Sequence, residues 1–268
     1  MKDQQEKLLR QKNTELRKEL AANKRALNIE AALEKVRSRS SAMYHSDELN
    51  DVIDTIYEQM KVLGINMDSV NINIFKVGKR SFDMWSAPTD KKYSKAINIE
   101  AIEFGPSKVL LDEWENGNDF VTGTWTMEEK NKWFQLAFEQ APMNHFSEER
   151  KRDILQSKLW TISAAIGKLS AIQLNSYSRE AFSPAENEVL KRFSGVFEQA
   201  FIRFLDLQKA EMQVNEANIE AALERVRYRA MAMQNSDDVG SAAAAIFDEI
   251  SLLHIETMRC GICIFQKK

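Results

Sequence analysis

The chain has 268 residues, 44% of them apolar and 29% charged, with a net charge of −3, a balance that suits one large or two small folded domains. That charge excludes an overall field for nucleic acid or an anionic membrane, and no apolar run is long enough to span a bilayer. Two cysteines exclude a disulfide framework and suit a reducing, cytoplasmic setting.

The opening MKDQQEKLLRQK lacks an apolar core and does not read as a signal peptide. No Gly or Pro precedes Gly64, so residues 1–45 read as one long helix. Leu9, Leu16, Leu20 and Leu27 form one apolar seam along it. Ile29, Leu33, Val36, Ser40 and Met43 form a second in another phase, as in a coiled coil that accommodates a stutter. The stretch IEAALEKVRSRSSAM (29–43) returns as IEAALERVRYRAMAM (219–233), with eleven positions identical. Ile219, Leu223, Val226, Ala230 and Met233 repeat the spacing. A stripe this narrow suits one partner helix, so both copies are expected to pair in a parallel homodimer.

The match runs on at a constant offset of 190 residues. Ser46 and Ser236 stand where helix caps belong, a helix follows (Val52, Ile56, Met60, Leu63), and then a break at Gly64 and a strand. A period this long is a whole domain. Residues 236–268 therefore read as the start of a second domain, and the chain as an excerpt of a longer tandem protein.

Between the copies, SVNINIF, SFDMWSA, KAINIEAIEF, DFVTGTW, WTISAAI and KLSAIQL read as five or six strands. In the first, Val70, Ile72 and Ile74 point one way and Asn71, Asn73 and Phe75 the other. Helices are expected from SKVLLDEWENG, from TMEEKNKWFQLAFEQA with Thr126 as its cap, and from the segment after Ser147. Ser183, Pro184 and Glu186 form a capping box. The helix it opens meets no breaker but Gly195 before Val239, so it should continue through the second copy for about fifty residues, on the order of 75 Å. The pattern is α+β: an antiparallel sheet with helices on one side and long helices entering and leaving.

Chemistry is sparse. Cys260 and Cys263 lie on a predicted strand, where residues three apart face opposite ways, and no second pair exists to complete a metal site. His45 and His145 sit beside cap and turn signals with no spaced partner ligand. Phosphate loops, phosphoacceptor boxes and ATP motifs are absent. All five tryptophans fall between Trp85 and Trp160. Most read as core, while Asn73, Phe82, Trp85, Trp125 and Trp160 are the candidates for a pocket wall.

The exit-helix string FSPAENEVLKRFSGVFEQAFIRFLDLQKAE, the linker IEAALERVRYRAMAM and the strand GKLSAIQL resemble the GAF-like domains strung in tandem in bacterial signalling proteins. The resemblance implies a sheet of order 2-1-5-4-3, a small-molecule pocket on one face and dimerisation through flanking helices. It divides the chain into a signalling helix (1–45), a GAF-like domain (46–210, exit helix from about 183), a second signalling helix (211–235) and the beginning of another GAF-like domain (236–268). The domain contains no cysteine for a thioether-linked bilin or for GAF-type sulfoxide reduction, and it lacks the cyclic-nucleotide pattern. The expected function is a non-enzymatic sensor or relay with no metal or cofactor and an unidentified small-molecule ligand, the alternative being a degenerate scaffold that spaces coiled coils.

Overall fold

The computed structural model describes residues 2–45, 48–87, 96–100, 102, 104–139, 143, 146–235, 238–256, 258–263 and 265. The proposed caps Ser46 and Ser236, and His145, lie outside them. The chain divides into two compact units, Met1–Phe204 and Leu205–Lys268.

The first unit is built on helix α1 (Lys2–Ser41) and helix α2 (Leu49–Val62), then strands β1 (Ser69–Phe75), β2 (Ser81–Ala87) and β3 (Ile97–Glu100). Helix α3 (Gly105–Glu115), strand β4 (Phe120–Thr126) and helices α4 (Met127–Glu139) and α5 (Glu148–Gln156) follow. Strands β5 (Leu159–Ile166) and β6 (Ser170–Ser176) lead into helix α6 (Pro184–Met231). Every strand pairing is antiparallel, in the order β3-β2-β1-β6-β5-β4. Without the short edge strand β3, this is the expected 2-1-5-4-3.

Helices cover both faces of this sheet rather than one. Strand alternation decides which residue meets which layer. Val70, Ile72 and Ala87 face a core made by the end of α1, by α2 and by the start of α6, including Leu33, Val36, Ile53, Ile56, Phe193 and Phe197. Phe75, Phe82, Trp160, Ile162 and Ala164 face a second core under α3, α4 and α5. Central strands β5 and β6 are buried along nearly their whole length, so neither can show the polar-out alternation of a one-sided sheet.

Local chemistry sets the helix ends. Glu129 Oε2 accepts from the Thr126 amide and hydroxyl at 2.9 and 2.8 Å, so α4 starts with a reciprocal box. Ser147 Oγ accepts from the Arg150 amide at the start of α5. At α6, Glu186 accepts from the Ser183 amide at 2.7 Å, and Ser183 Oγ accepts from the Glu186 amide.

The first-copy stripe differs from its expectation. Leu33, Val36 and Met43 are buried in the chain's own core, with Ile29 packed against it, so at these residues the apolar edge is already covered from within. The expected seam for a second chain is corrected here: α2 and the phenylalanines of α6 fill that position. Residues 4–28 of α1 are exposed, Leu9, Leu16, Leu20 and Leu27 among them.

In the second unit, the last turns of α6 are followed by helix α7 (Asp238–Leu252). Arg225 makes a two-bond ion pair with Glu249 at 2.7 Å. Ala222 and Ala242 are buried, whereas Ile219, Leu223 and Met233 are exposed and Val226 is half-buried. The strand expected at 256–266 does not form among the described residues, where Met258 to Cys263 carry no ladder. A strand needs a neighbour for its amides, and the second unit offers none. Cys260 and Cys263 are free thiols, half-buried and exposed. No helix among the described residues is long and apolar enough to cross a membrane.

Candidate functional site

Two strand segments with carboxamides at alternate positions make the floor of a cleft. In β1 they are Asn71 and Asn73, in β6 Gln173 and Asn175. The register sets Asn71 opposite Gln173 and Ser69 opposite Asn175, so all share one face. Asn73 Nδ2 donates to Gln173 Oε1 at 3.4 Å, and Gln173 Nε2 donates to Asn175 Oδ1 at 2.7 Å. The Trp160 indole N–H, from β5, donates to the same oxygen at 3.1 Å.

Three buried amide atoms of this floor are left over, Asn73 Oδ1 beneath the cleft and one in each of two residues that line it. Asn71 Oδ1 and Asn175 Nδ2 have no hydrogen-bond partner, although their residues are 7% and 2% exposed. An unmatched amide group in a dry interior costs about 1–3 kcal/mol. An acceptor and a donor on neighbouring strands suit an incoming molecule that offers both.

The roof comes from α3, α4 and α5, with Ser107, Trp133, Phe134, Arg150 and Ile154 lining the cleft. Trp133 N–H donates to Ser107 Oγ at 3.0 Å, and its ring lies 5.1 Å from Trp160 and 5.0 Å from Phe134. The cleft holds a cavity of about 60 Å³. One water needs about 10–15 Å³, so the cleft accepts several waters as it stands.

Two groups at the roof are electrostatically unusual. Lys130 is fully buried on α4, and burial pushes its ammonium down to about 8. It donates to the Ile154 carbonyl at the end of α5, beside Asn131, which donates to Leu155 O at 3.1 Å. These bonds satisfy carbonyls that a helix end leaves open and pin α5 over the floor. Arg150 lies over the Phe146 ring at 4.5 Å. Near it, burial holds the Tyr177 phenol well above its ordinary range, with the Arg150 charge acting weakly the other way. Tyr177 therefore stays a neutral hydroxyl.

The five pocket residues expected from sequence divide. Phe82 and Trp160 line the cleft. Asn73 lies on the same face, fully buried beneath it as part of the amide chain. Trp125 packs beside Trp160 at 6.1 Å without lining the cleft. Trp85 stands opposite Ile72 and packs into the other core; its place in the alternation of β2 turns it away. Sequence reasoning missed Asn71, Gln173, Asn175, Trp133 and Arg150. The signal was present in SVNINIF and SAIQLNS, which put amides on one face of strands whose other positions are apolar. Among the described residues, no group of three or more His, Cys, Asp or Glu could hold a metal ion.

A 2-1-5-4-3 antiparallel sheet between two helical layers, with a cleft on one face and long helices at its ends, is a GAF-like fold. No family model matches the chain, and no curated protein matches it. Among solved structures, it is similar to the GAF domain of a two-component sensor histidine kinase from Bacillus halodurans (10% identity, TM-score 0.37), covering 60% of this chain and 99% of that one. It is also similar to the phycoerythrobilin-bound GAF domain of a cyanobacterial phytochrome (13% identity, TM-score 0.41; 66% and 95% covered). A third is the free methionine-R-sulfoxide reductase of Neisseria meningitidis (12% identity, TM-score 0.40; 69% and 93% covered).

Proposed function

We propose that this chain is a non-enzymatic sensory and relay module of a bacterial, cytoplasmic signal-transduction protein. A small molecule settles in the cleft between the sheet and α3–α5, and the change passes along α6 toward an output domain. The observation that supports this reading is the pair of unpartnered amide atoms on the cleft floor. A domain that only spaced its neighbours would have no reason to keep them dry and unmatched.

The reverse face of the same floor is bonded to α6. Ser163 on β5 donates to Asn187 at 2.9 Å, and Ser194 donates to the Ala165 carbonyl at 3.1 Å. Glu198 accepts from the Leu169 amide at 2.9 Å and from the Ser170 hydroxyl. A side chain at Gly167 would meet the Glu198 carboxyl at 2.6 Å and displace it from its bonds to Leu169 and Ser170. Movement of Trp160, Gln173 or Asn175 on binding therefore has a direct route to the exit helix. Two arrangements a few kcal/mol apart are enough for a switch.

In this reading the relay works in a parallel homodimer. The exposed leucines Leu9, Leu16, Leu20 and Leu27 and the second-copy residues Ile219, Leu223, Val226 and Met233 are its candidate seams. Residues 236–268 begin a second GAF-like domain.

Native mass spectrometry of the purified chain tests the sensing part. A co-purified small molecule that Ser107→Trp expels is the expected result. A chain that arrives empty and binds nothing from a broad metabolite set would favour a spacing role. Light scattering at micromolar concentration tests the pairing: a dimer that Leu16→Asp with Leu20→Asp dissociates is expected, and a monomeric parent chain would overturn it.

A further inference from the structure

We infer that the cleft takes a small, one-ring aromatic anion, held by an ion pair to Arg150 and by a donor–acceptor edge at Asn71 and Asn175. This assignment rests on the reading of the cleft as a ligand site and adds the chemical class of the ligand.

Charge is the first observation. The lining, among the described residues, contains one cationic side chain, Arg150, and no Asp or Glu. Among the described residues, no carboxylate forms an ion pair with its guanidinium; its contact is the Phe146 ring. Elsewhere around the sheet Arg80 is paired with Asp112 and Glu115, and Arg179 with Glu186. A guanidinium beside a partly dry cleft is a carboxylate receptor with its planar donor fork already in place.

Shape is the second. Above the floor, Phe82, Trp133, Phe134 and Trp160 supply aromatic walls, and Met84 and Met143 supply deformable ones. Ring faces and thioethers favour a flat, polarizable guest. The cavity of about 60 Å³ is smaller than the roughly 150 Å³ that takes up benzene, so a single ring enters only as the methionines yield, and a tetrapyrrole is excluded.

The unpartnered floor atoms are the third, independent of the charge. Asn71 Oδ1 needs a donor and Asn175 Nδ2 an acceptor. A ring hydroxyl supplies both, since its O–H donates and its oxygen accepts. The guest is therefore a hydroxylated or amino-bearing ring carboxylate, its polar substituent on the floor and its carboxylate at α5.

The probes are 4-hydroxybenzoate, its neutral counterpart 4-hydroxybenzamide and the cationic 4-hydroxybenzylamine, titrated calorimetrically into the full chain. The benzoate should bind roughly 10- to 100-fold tighter than the benzamide, the range of a charge-assisted pair, and the benzylamine most weakly. Arg150→Gln, on a half-exposed helix position, should remove the preference by weakening benzoate binding roughly 10- to 100-fold, with circular dichroism confirming the fold. Asn71→Leu should weaken benzoate and benzamide alike. Equal affinity for anion and amide, or an Arg150→Gln variant that keeps the preference, would overturn the anion assignment while leaving the ligand-site reading standing. Failure of all three rings to bind would also overturn it, and native mass spectrometry then reports separately whether the cleft holds some other guest.

Discussion

The two copies of the repeat are one experiment carried out twice in the same chain. Each ends a long helix, turns and starts a shorter one, with the same hydrogen bonds displaced by 190 residues. Glu48 accepts from the amides of Tyr44 and His45, as Asp238 does from those of Gln234 and Asn235. The Gly64 amide bonds Lys61 O, as the His254 amide bonds Ser251 O, and both residues adopt positive φ, 78° and 58°. Arg37 pairs with Glu34, and Arg227 with Glu224. Yet Leu33 is 2% exposed and its counterpart Leu223 57%. Short-range sequence makes the helices, and only distant residues bury them. The first copy has a sheet and the Phe193–Phe204 ladder to receive its stripe, and the second unit has only α7.

The largest expected contrast follows from that difference. Leu33→Ala should cost about 2–5 kcal/mol, the range for emptying a core leucine site, while Leu223→Ala stays within about 0.5 kcal/mol where the chain is monomeric, both read from urea denaturation. A Leu223→Ala cost approaching that of Leu33→Ala would show that a partner chain covers the second stripe.

The ion pairs give a smaller contrast. In the first unit, the Arg179 guanidinium, joined by Ser183, holds the Glu186 carboxyl at about 2, below its usual 4.5. Because the folded value is the lower one, this stabilisation is complete above about pH 4.5 and lost as pH falls toward 2, up to roughly 3 kcal/mol. Glu186→Gln should flatten stability across that acid window. In the second unit, Arg225 likewise lowers Glu249, but Arg225 is more than half exposed. Glu249→Gln is expected to leave the denaturation midpoint unchanged.

The turns give the smallest. Gly64→Ala forces a Cβ into the left-handed region with open space around it, at a cost of about 1 kcal/mol. His254 already carries that strain, so His254→Gly should gain less than about 1 kcal/mol, detectable as slower amide exchange in the last turn of α7. Equal and opposite shifts at the two sites would mean the turns are energetically interchangeable.

Much of the molecule was legible beforehand because its signals are local. Breaker-free stretches gave the two long helices, the Ser183–Glu186 box gave the start of α6, and alternation gave five or six strands, close to their observed bounds except for the third, which is only Ile97–Glu100. The cleft was less legible. Trp85 and Trp160 look alike in sequence as strand tryptophans, and a single position in the alternation puts one in each core. Asn71 and Asn175 drew no notice because an amide on a strand looks like solvent-facing polarity until a helical layer is known to cover it.

The sequence by itself determined the helices, the caps at Thr126, Ser147 and Ser183, the strand phases of the first unit and the repeat, since each depends on residues a few positions apart through torsion preference and side-chain period. Tertiary structure alone decided that helices cover both sheet faces, that Leu33 and Val36 are spoken for within the chain, and that Asn71 Oδ1 and Asn175 Nδ2 end without partners in residues lining a roofed cleft. Those outcomes turn on which surfaces meet across a hundred or more residues, and burial is a property of the meeting, not of either side alone.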